Sequence, residues 1–320
     1  MGYLIAFSTY LLLLLLVPIY GKPLVPALFI FGDSVLDLVV DFASESFGFN
    51  TYQPSYLDLY FKDKNILNGA NFASSASGYH NSTAILYGTL TLDQQLEYYK
   101  DCQKQLIRIA GRSHALSIIG GAVYLISAGN VDFMMNYYIN PCLHKVYTPH
   151  QFADILVQNY ANFIQSLYAL GARRIGVATV TAMGCFPYTI LTFGAFNDYE
   201  CVEEINNVAI YFNQKLNSTS ANLRKMLPDL NLVILDSYQP LYNLVTKPSG
   251  LGFSVTKMGC YRIYPILSEN TNSIFNDNKK IPVSCPNASE YVFWDGFHPT
   301  EAANKFLAAE LIAQGIYLLS

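Results

Sequence analysis

Charge is what this sequence has least of. Only 13% of its 320 residues are Asp, Glu, Lys or Arg, about half of the ~25% usual for soluble domains. The 19 basic residues are outnumbered by 23 acidic ones and form no cluster. The electrostatic footprint that a phosphate backbone requires is therefore missing, which excludes nucleic acid as a partner. None of the six cysteines stands in a Cys-x-x-Cys spacing, and the usual zinc arrangements fall away with it. Internal repeats, low-complexity tracts and Pro/Ser-rich linkers are absent too, so nothing divides the chain. No segment beyond the first 21 residues offers the ~18 uncharged apolar residues of a membrane span.

What is present is apolar. The hydrophobic fraction is 52%, Tyr and Phe contribute 25 and 20 residues, and the net charge is only −4. Mean hydropathy is positive at +0.24, so intrinsic disorder is ruled out and a large core follows. Leu11 to Val17 form an unbroken apolar run followed by Gly21, Lys22 and Pro23. This is the pattern of a signal-peptide h-region, although no Lys or Arg precedes it, and it is too short for a comfortable span. Residues 1–21 are expected to be a removable leader and 22–320 a single domain. Three Asn-x-Ser/Thr sequons, at Asn81, Asn217 and Asn287, fit a secreted, glycosylated product. In an oxidising compartment the cysteines can pair. The favoured bridges are Cys185 with Cys201 and Cys260 with Cys285, since each closes a local loop; Cys102 and Cys142 are as readily free core thiols.

Four short apolar runs read as buried strands: Ala27 to Phe31, Ala122 to Ser127, Ile175 to Val180 and Leu230 to Leu235. Helical periodicity fills the intervals, over Leu92 to Ile109, Pro149 to Leu170, Glu203 to Met226 and Thr300 to Leu319. Strands alternating with helices predict an α/β fold with a parallel sheet covered on both faces, which also accounts for the hydropathy. The site of such a fold lies beyond the carboxyl ends of its strands.

The first of those ends reads Phe31-Gly32-Asp33-Ser34. A serine just after a Gly turn can act as a nucleophile, and its N–H can donate to a developing oxyanion, although an N-cap role is the commoner use. Near the C-terminus stands Trp294-Asp295-Gly296-Phe297-His298-Pro299. Asp and His three apart across a Gly turn can meet, so that the carboxylate fixes the imidazole tautomer while the other nitrogen faces a serine.

Together these motifs resemble the GDSL esterase/lipase family of the SGNH hydrolase superfamily, and within it the large secreted plant group. The likeness runs through FIFGDSVLD, GANFASSASGY at 69–79, QLEYYK at 95–100, YLISAGNVDFMMNYY at 124–138, LYALGARRIGV at 167–177, MGCFP at 183–187, ECVEEINNVAIYFNQKLN at 200–217 and YVFWDGFHPTEAAN at 291–304. The resemblance implies a flavodoxin-like three-layer α/β/α sandwich around a mostly parallel sheet. It further implies no cofactor, no metal, and a monomer without a stable membrane anchor that cleaves small acyl or lipid esters. Ser34 would attack the ester carbonyl, His298 would carry its proton and Asp295 would orient His298. The oxyanion donors would be the N–H groups of Ser34 and Gly78 and an Asn side chain after the second strand.

Two departures qualify that reading. The family pattern Gly-x-Asn-Asp is here Gly129-Asn130-Val131-Asp132, with valine at the donor position and an asparagine one residue early. Side chains adjacent on a strand end point to opposite sides, so Asn130 substitutes only if the loop rotates, and its ordinary reading is a turn residue. Against the family pattern, several dozen residues are also missing between Leu38 and Asp41. The alternative reading is accordingly a catalytically weak extracellular member or a truncated product. Asp33 and Asp37 read as helix-start and packing residues. The pairs Tyr98/Tyr99 and Tyr137/Tyr138 read as half-buried core rather than an acyl groove.

Overall fold

A computed structural model describes residues 23–33, 37–58, 64–140, 142–194, 200–248, 250–265 and 280–319. The expected leader and Ser34 itself lie outside the described residues. Strand β1 (Leu28–Gly32) is buried along its whole length. Helix α1 (Asp37–Ser46) follows, and it runs unbroken through Leu38 to Asp41, where the family segment is expected. Next come β2 (Gly69–Asn71), the short helix α2 (Asn81–Tyr87), α3 (Leu92–Ala110), α4 (Arg112–Gly121) and β3 (Val123–Ser127). After them follow α5 (Pro149–Ala169), β4 (Arg174–Ala178), α6 (Pro187–Phe193), α7 (Glu203–Met226), β5 (Asn231–Leu235) and α8 (Tyr238–Thr246). The C-terminal part contributes β6 (Val255–Gly259), β7 (Tyr261–Pro265), β8 (Lys280–Ser284), β9 (Tyr291–Phe293) and α9 (Glu301–Gly315).

Five strands form one parallel sheet in the order β2-β1-β3-β4-β5. The crossovers put helices on both faces, as the apolar strands required. On one face Phe29, Phe31, Tyr124, Ile126, Ile175 and Val177 meet α3, α5 and α7. On the other, Leu28, Ile30 and Val123 meet Phe47 and Leu318, and α1 packs against α9. The aromatic surplus concentrates around β1: Phe31 stacks on Phe72 at 5.1 Å and meets Tyr99 and Phe163 edge-on. Such pairs add about 0.5–1.5 kcal/mol each beyond their buried area. Tyr99 and Tyr124 satisfy their buried hydroxyls by bonding each other at 2.7 Å. Tyr99 and Tyr137 are buried, while Tyr98 and Tyr138 are partly so.

Helix caps match the sequence. Thr91 and Thr148 each form a capping box with the Gln three residues on, and Thr300 accepts from the Ala303 N–H to start α9. Disulfides join Cys185 to Cys201 and Cys260 to Cys285. Cys102 is buried and free; Cys142, expected as a possible core thiol, is free but exposed. Two small sheets, β6 with β9 and β7 with β8, complete the described fold. Periodicity gave no sign of them, because neither they nor β2 carries a long apolar run.

Candidate active site

The carboxyl end of β1 is held from two sides. Gly32 has φ +118°, and a Cβ there would lie 1.7 Å from the Ser127 carbonyl oxygen, so only glycine lets β1 and β3 approach this closely. The buried side chain of Gln95 then clamps the same residue. Its Oε1 accepts from the Gly32 N–H at 2.9 Å, and its Nε2 donates to the Gly32 carbonyl at 3.0 Å and to Ser77 Oγ at 3.1 Å. Asp33, 2% exposed, donates its N–H to the Ser127 carbonyl at 2.7 Å and accepts from Ser127 Oγ at 3.3 Å. These contacts fix the chain immediately before Ser34. The sequence carries no local signal of this role for Gln95, because its partner lies 63 positions away.

The other half of the constellation is a compact turn. Asp295 Oδ1 accepts from the N–H groups of Phe297 and His298, both at 2.8 Å, and Asp295 Oδ2 lies 2.9 Å from His298 Nδ1. Burial alone would push the Asp295 carboxyl up. The His298 ring and these two N–H donors outweigh it and hold the carboxyl below its ordinary value, so it is a carboxylate at neutral pH. The Trp294 N–H reaches back to the His298 carbonyl at 2.7 Å and closes the turn. Gly259 packs so near the Asp295 backbone that a Cβ would come within 2.6 Å of its carbonyl oxygen. Cys260 and Tyr261 donate to the carbonyls of Phe293 and Trp294, so the Cys260–Cys285 bridge steadies this strand from behind.

His298 opens onto a cleft of about 150 Å³. Its walls include Val131, Met134, Met135, Phe186 and Phe297, together with Ser75 and Ala76. Ala76 sits at φ +59°, a left-handed conformation that non-glycine residues rarely adopt. The Cys185–Cys201 bridge adjoins Phe186 and ties this wall to the start of α7.

Asn130 lines the same cleft. The expectation that Asn130 and Val131 point to opposite sides fails for a physical reason. By Asn130 the strand has ended and the backbone is helical, leading into a π-helical stretch over Asp132–Ile139. Helical neighbours are about 100° apart rather than 180°, and both side chains reach the cleft. Asn130 Oδ1 is fixed by the N–H and Oγ1 of Thr181, at 3.0 and 2.9 Å. Its Nδ2 is buried and hydrogen-bonds no described residue. A buried amide donor left unused costs about 1–3 kcal/mol, which makes it a group awaiting an acceptor.

A Cβ at Gly78 would lie 2.3 Å from the Asp132 carboxylate, so only glycine fits there. Asp132, fully buried, accepts from the Tyr79 N–H at 2.7 Å, the His80 N–H at 3.1 Å and Thr83 Oγ1. Burial pushes its carboxyl up to about 7 against the pull of these donors. The Asn81, Asn217 and Asn287 side chains are exposed. Among the described residues no group of three His, Cys, Asp or Glu could hold a metal ion.

Comparison with known proteins agrees with this architecture. The model of the GDSL-like lipase/acylhydrolase family matches residues 28–311. The chain is 44% identical to the GDSL esterase/lipase At5g22810 of Arabidopsis thaliana, covering 96% of this chain and 94% of that protein. It is 42% identical to At5g03810 over 94% of both chains, and 41% identical to the GDSL esterase/lipase APG over 98% of both, each from the same plant. The first alignment runs over 346 positions, whereas this chain has 320 residues, so at least 26 positions of that relative have no counterpart here. From the strand-end motif to the terminal Asp-His turn, the chain belongs to the GDSL-like lipase/acylhydrolase family.

Proposed function

We propose that the protein hydrolyses carboxylic esters through a Ser34 acyl-enzyme. Ser34 Oγ attacks the ester carbonyl carbon while His298 Nε2 takes the hydroxyl proton, and the same imidazole returns that proton to the departing alkoxide. Water activated by His298 then releases the acid and restores the serine. Asp295 keeps the Nδ1 proton in place and stabilises the imidazolium. The negative oxygen of the tetrahedral intermediate rests on the N–H groups of Ser34 and Gly78 and on Asn130 Nδ2. The observation that carries the reading is the His298–Asp295 pair opening onto the cleft that also holds the unused Asn130 amide donor.

The apolar walls suit an acyl chain, so lipid and other acyl esters are the proposed substrates. The enzyme needs no cofactor or metal in this scheme and acts as a monomer. The N-terminal apolar run, the sequons and the two bridges support export, cleavage of a leader and glycosylation at Asn217 and Asn287, while the Asn81 amide is held by Asp93 at 2.7 Å. The unmatched positions of the relatives fit a segment lost between Leu38 and Asp41, which leaves a single, shortened domain.

Hydrolysis of p-nitrophenyl butyrate by the purified protein and by Ser34→Ala tests the reading. The variant is expected to fall to the uncatalysed rate, a loss of at least about 10⁴. Equal rates in both proteins would sink the esterase assignment.

A further inference from the structure

Exposed apolar side chains are not spread evenly over this protein. Fourteen large hydrophobic residues are exposed among the described ones, and six of them, Ile85, Leu86, Tyr87, Leu191, Phe193 and Trp294, lie on elements bordering the His298 cleft. Ile85 and Leu191 reach 70% and 74% exposure. Each helix touches a wall of the cleft. On the α2 side, the Tyr87 hydroxyl donates to the carbonyl of Met135, a wall residue, at 3.4 Å. On the α6 side, Tyr188 stacks on the wall residue Phe297 at 4.8 Å, and Phe193 lies 5.9 Å from Tyr138.

Neither helix carries a charge: α2 reads NSTAILY and α6 reads PYTILTF. A patch of this kind on a soluble protein marks an interaction site. Without Lys or Arg it has no attraction for anionic headgroups, and the net charge of −4 opposes them. Its position restricts the occupant further. A protein lying on this rim would seal the cleft, whereas a partner that is itself the substrate leaves the enzyme productive. Tyr87, with an apolar ring and a polar tip, suits the boundary between acyl chains and water.

We propose that α2 and α6 dock the protein onto the surface of aggregated, uncharged lipid ester, so that the cleft opens directly onto the acyl phase. The proposal rests on the ester-hydrolase reading and is separable from it. Flotation with phosphatidylcholine vesicles and turnover of emulsified tributyrin are measured beside turnover of monomeric p-nitrophenyl acetate. Ile85→Asp and Leu191→Asp are expected to lower vesicle binding and emulsion turnover at least tenfold each and to leave the soluble ester within twofold. Met226→Asp, exposed at the far end of α7, should change none of these. Absence of wild-type vesicle binding, or binding equal in all variants, overturns the proposal. So does a dimer in size-exclusion chromatography that Ile85→Asp dissociates while no vesicle binding is seen. Loss of soluble-ester turnover in the wild type would instead count against the esterase reading and leave the vesicle result to stand on its own.

Discussion

The two halves of the catalytic constellation are built on different plans. The end of β1 is positioned from afar: Gln95 lies 63 residues from Gly32 and Ser127 lies 94 from Asp33, and every contact is buried. The Asp295–His298 turn is positioned from within, by bonds spanning two or three residues in a half-exposed loop. The first half therefore exists only when the whole sheet is assembled. The second is set by local turn chemistry and adds little to the fold. Damage to each should consequently register in a different measurement.

The sharpest contrast comes from Asp295→Asn, which is expected to lower kcat about 10²–10⁴-fold through the wrong imidazole tautomer. Circular dichroism and Tm should barely move; a large drop in Tm would mean that the turn is structural after all. Asn130→Ala should cost about 10²–10³ in kcat with KM nearly unchanged, because the amide serves only the transition state. Val131→Asn should change the rate less than threefold, and a large gain would show that Asn130 does not fill the hole. Removing the Cys260–Cys285 bridge with serines is expected to cost about 3 kcal/mol in chemical denaturation. Gln95→Ala should reverse the pattern of Asp295→Asn: it strands the Gly32 N–H and carbonyl and costs about 2 kcal/mol of stability.

The smallest expected effect concerns pH. Asp132 binds its proton up to about 7 in the folded chain but only to about 4 when unfolded. The unfolded chain therefore holds fewer protons between those values, and the Asp132 contribution to stability falls as pH rises through that window. Asp132→Asn should remove this slope. An unchanged slope in urea titrations at pH 4.5 and 7 would place the linkage elsewhere.

Much of the sheet was legible before any coordinates, because strands buried on both faces must be continuously apolar. The bounds expected for β1, β3, β4 and β5 differ from those observed by one or two residues. The Asp295–His298 contact was legible for the opposite reason, since three residues and a glycine contain all of its geometry. The sequence was silent where position depends on distant packing. Gln95 gives no hint of clamping Gly32, and Ala76 occupies a left-handed position that a reader would reserve for glycine. At Asn130 the rule that strand neighbours face opposite sides does not hold, because the backbone there is already helical.

The two disulfides have a consequence for how the protein must be made. One braces the Phe186 wall and the other the strand beneath Asp295, so each stands behind a different side of the cleft. Chain produced in a reducing cytosol would retain the sheet and lose both braces. Its population would hold folded molecules with misaligned clefts, and specific activity per folded molecule, not yield, would report the redox history of the preparation.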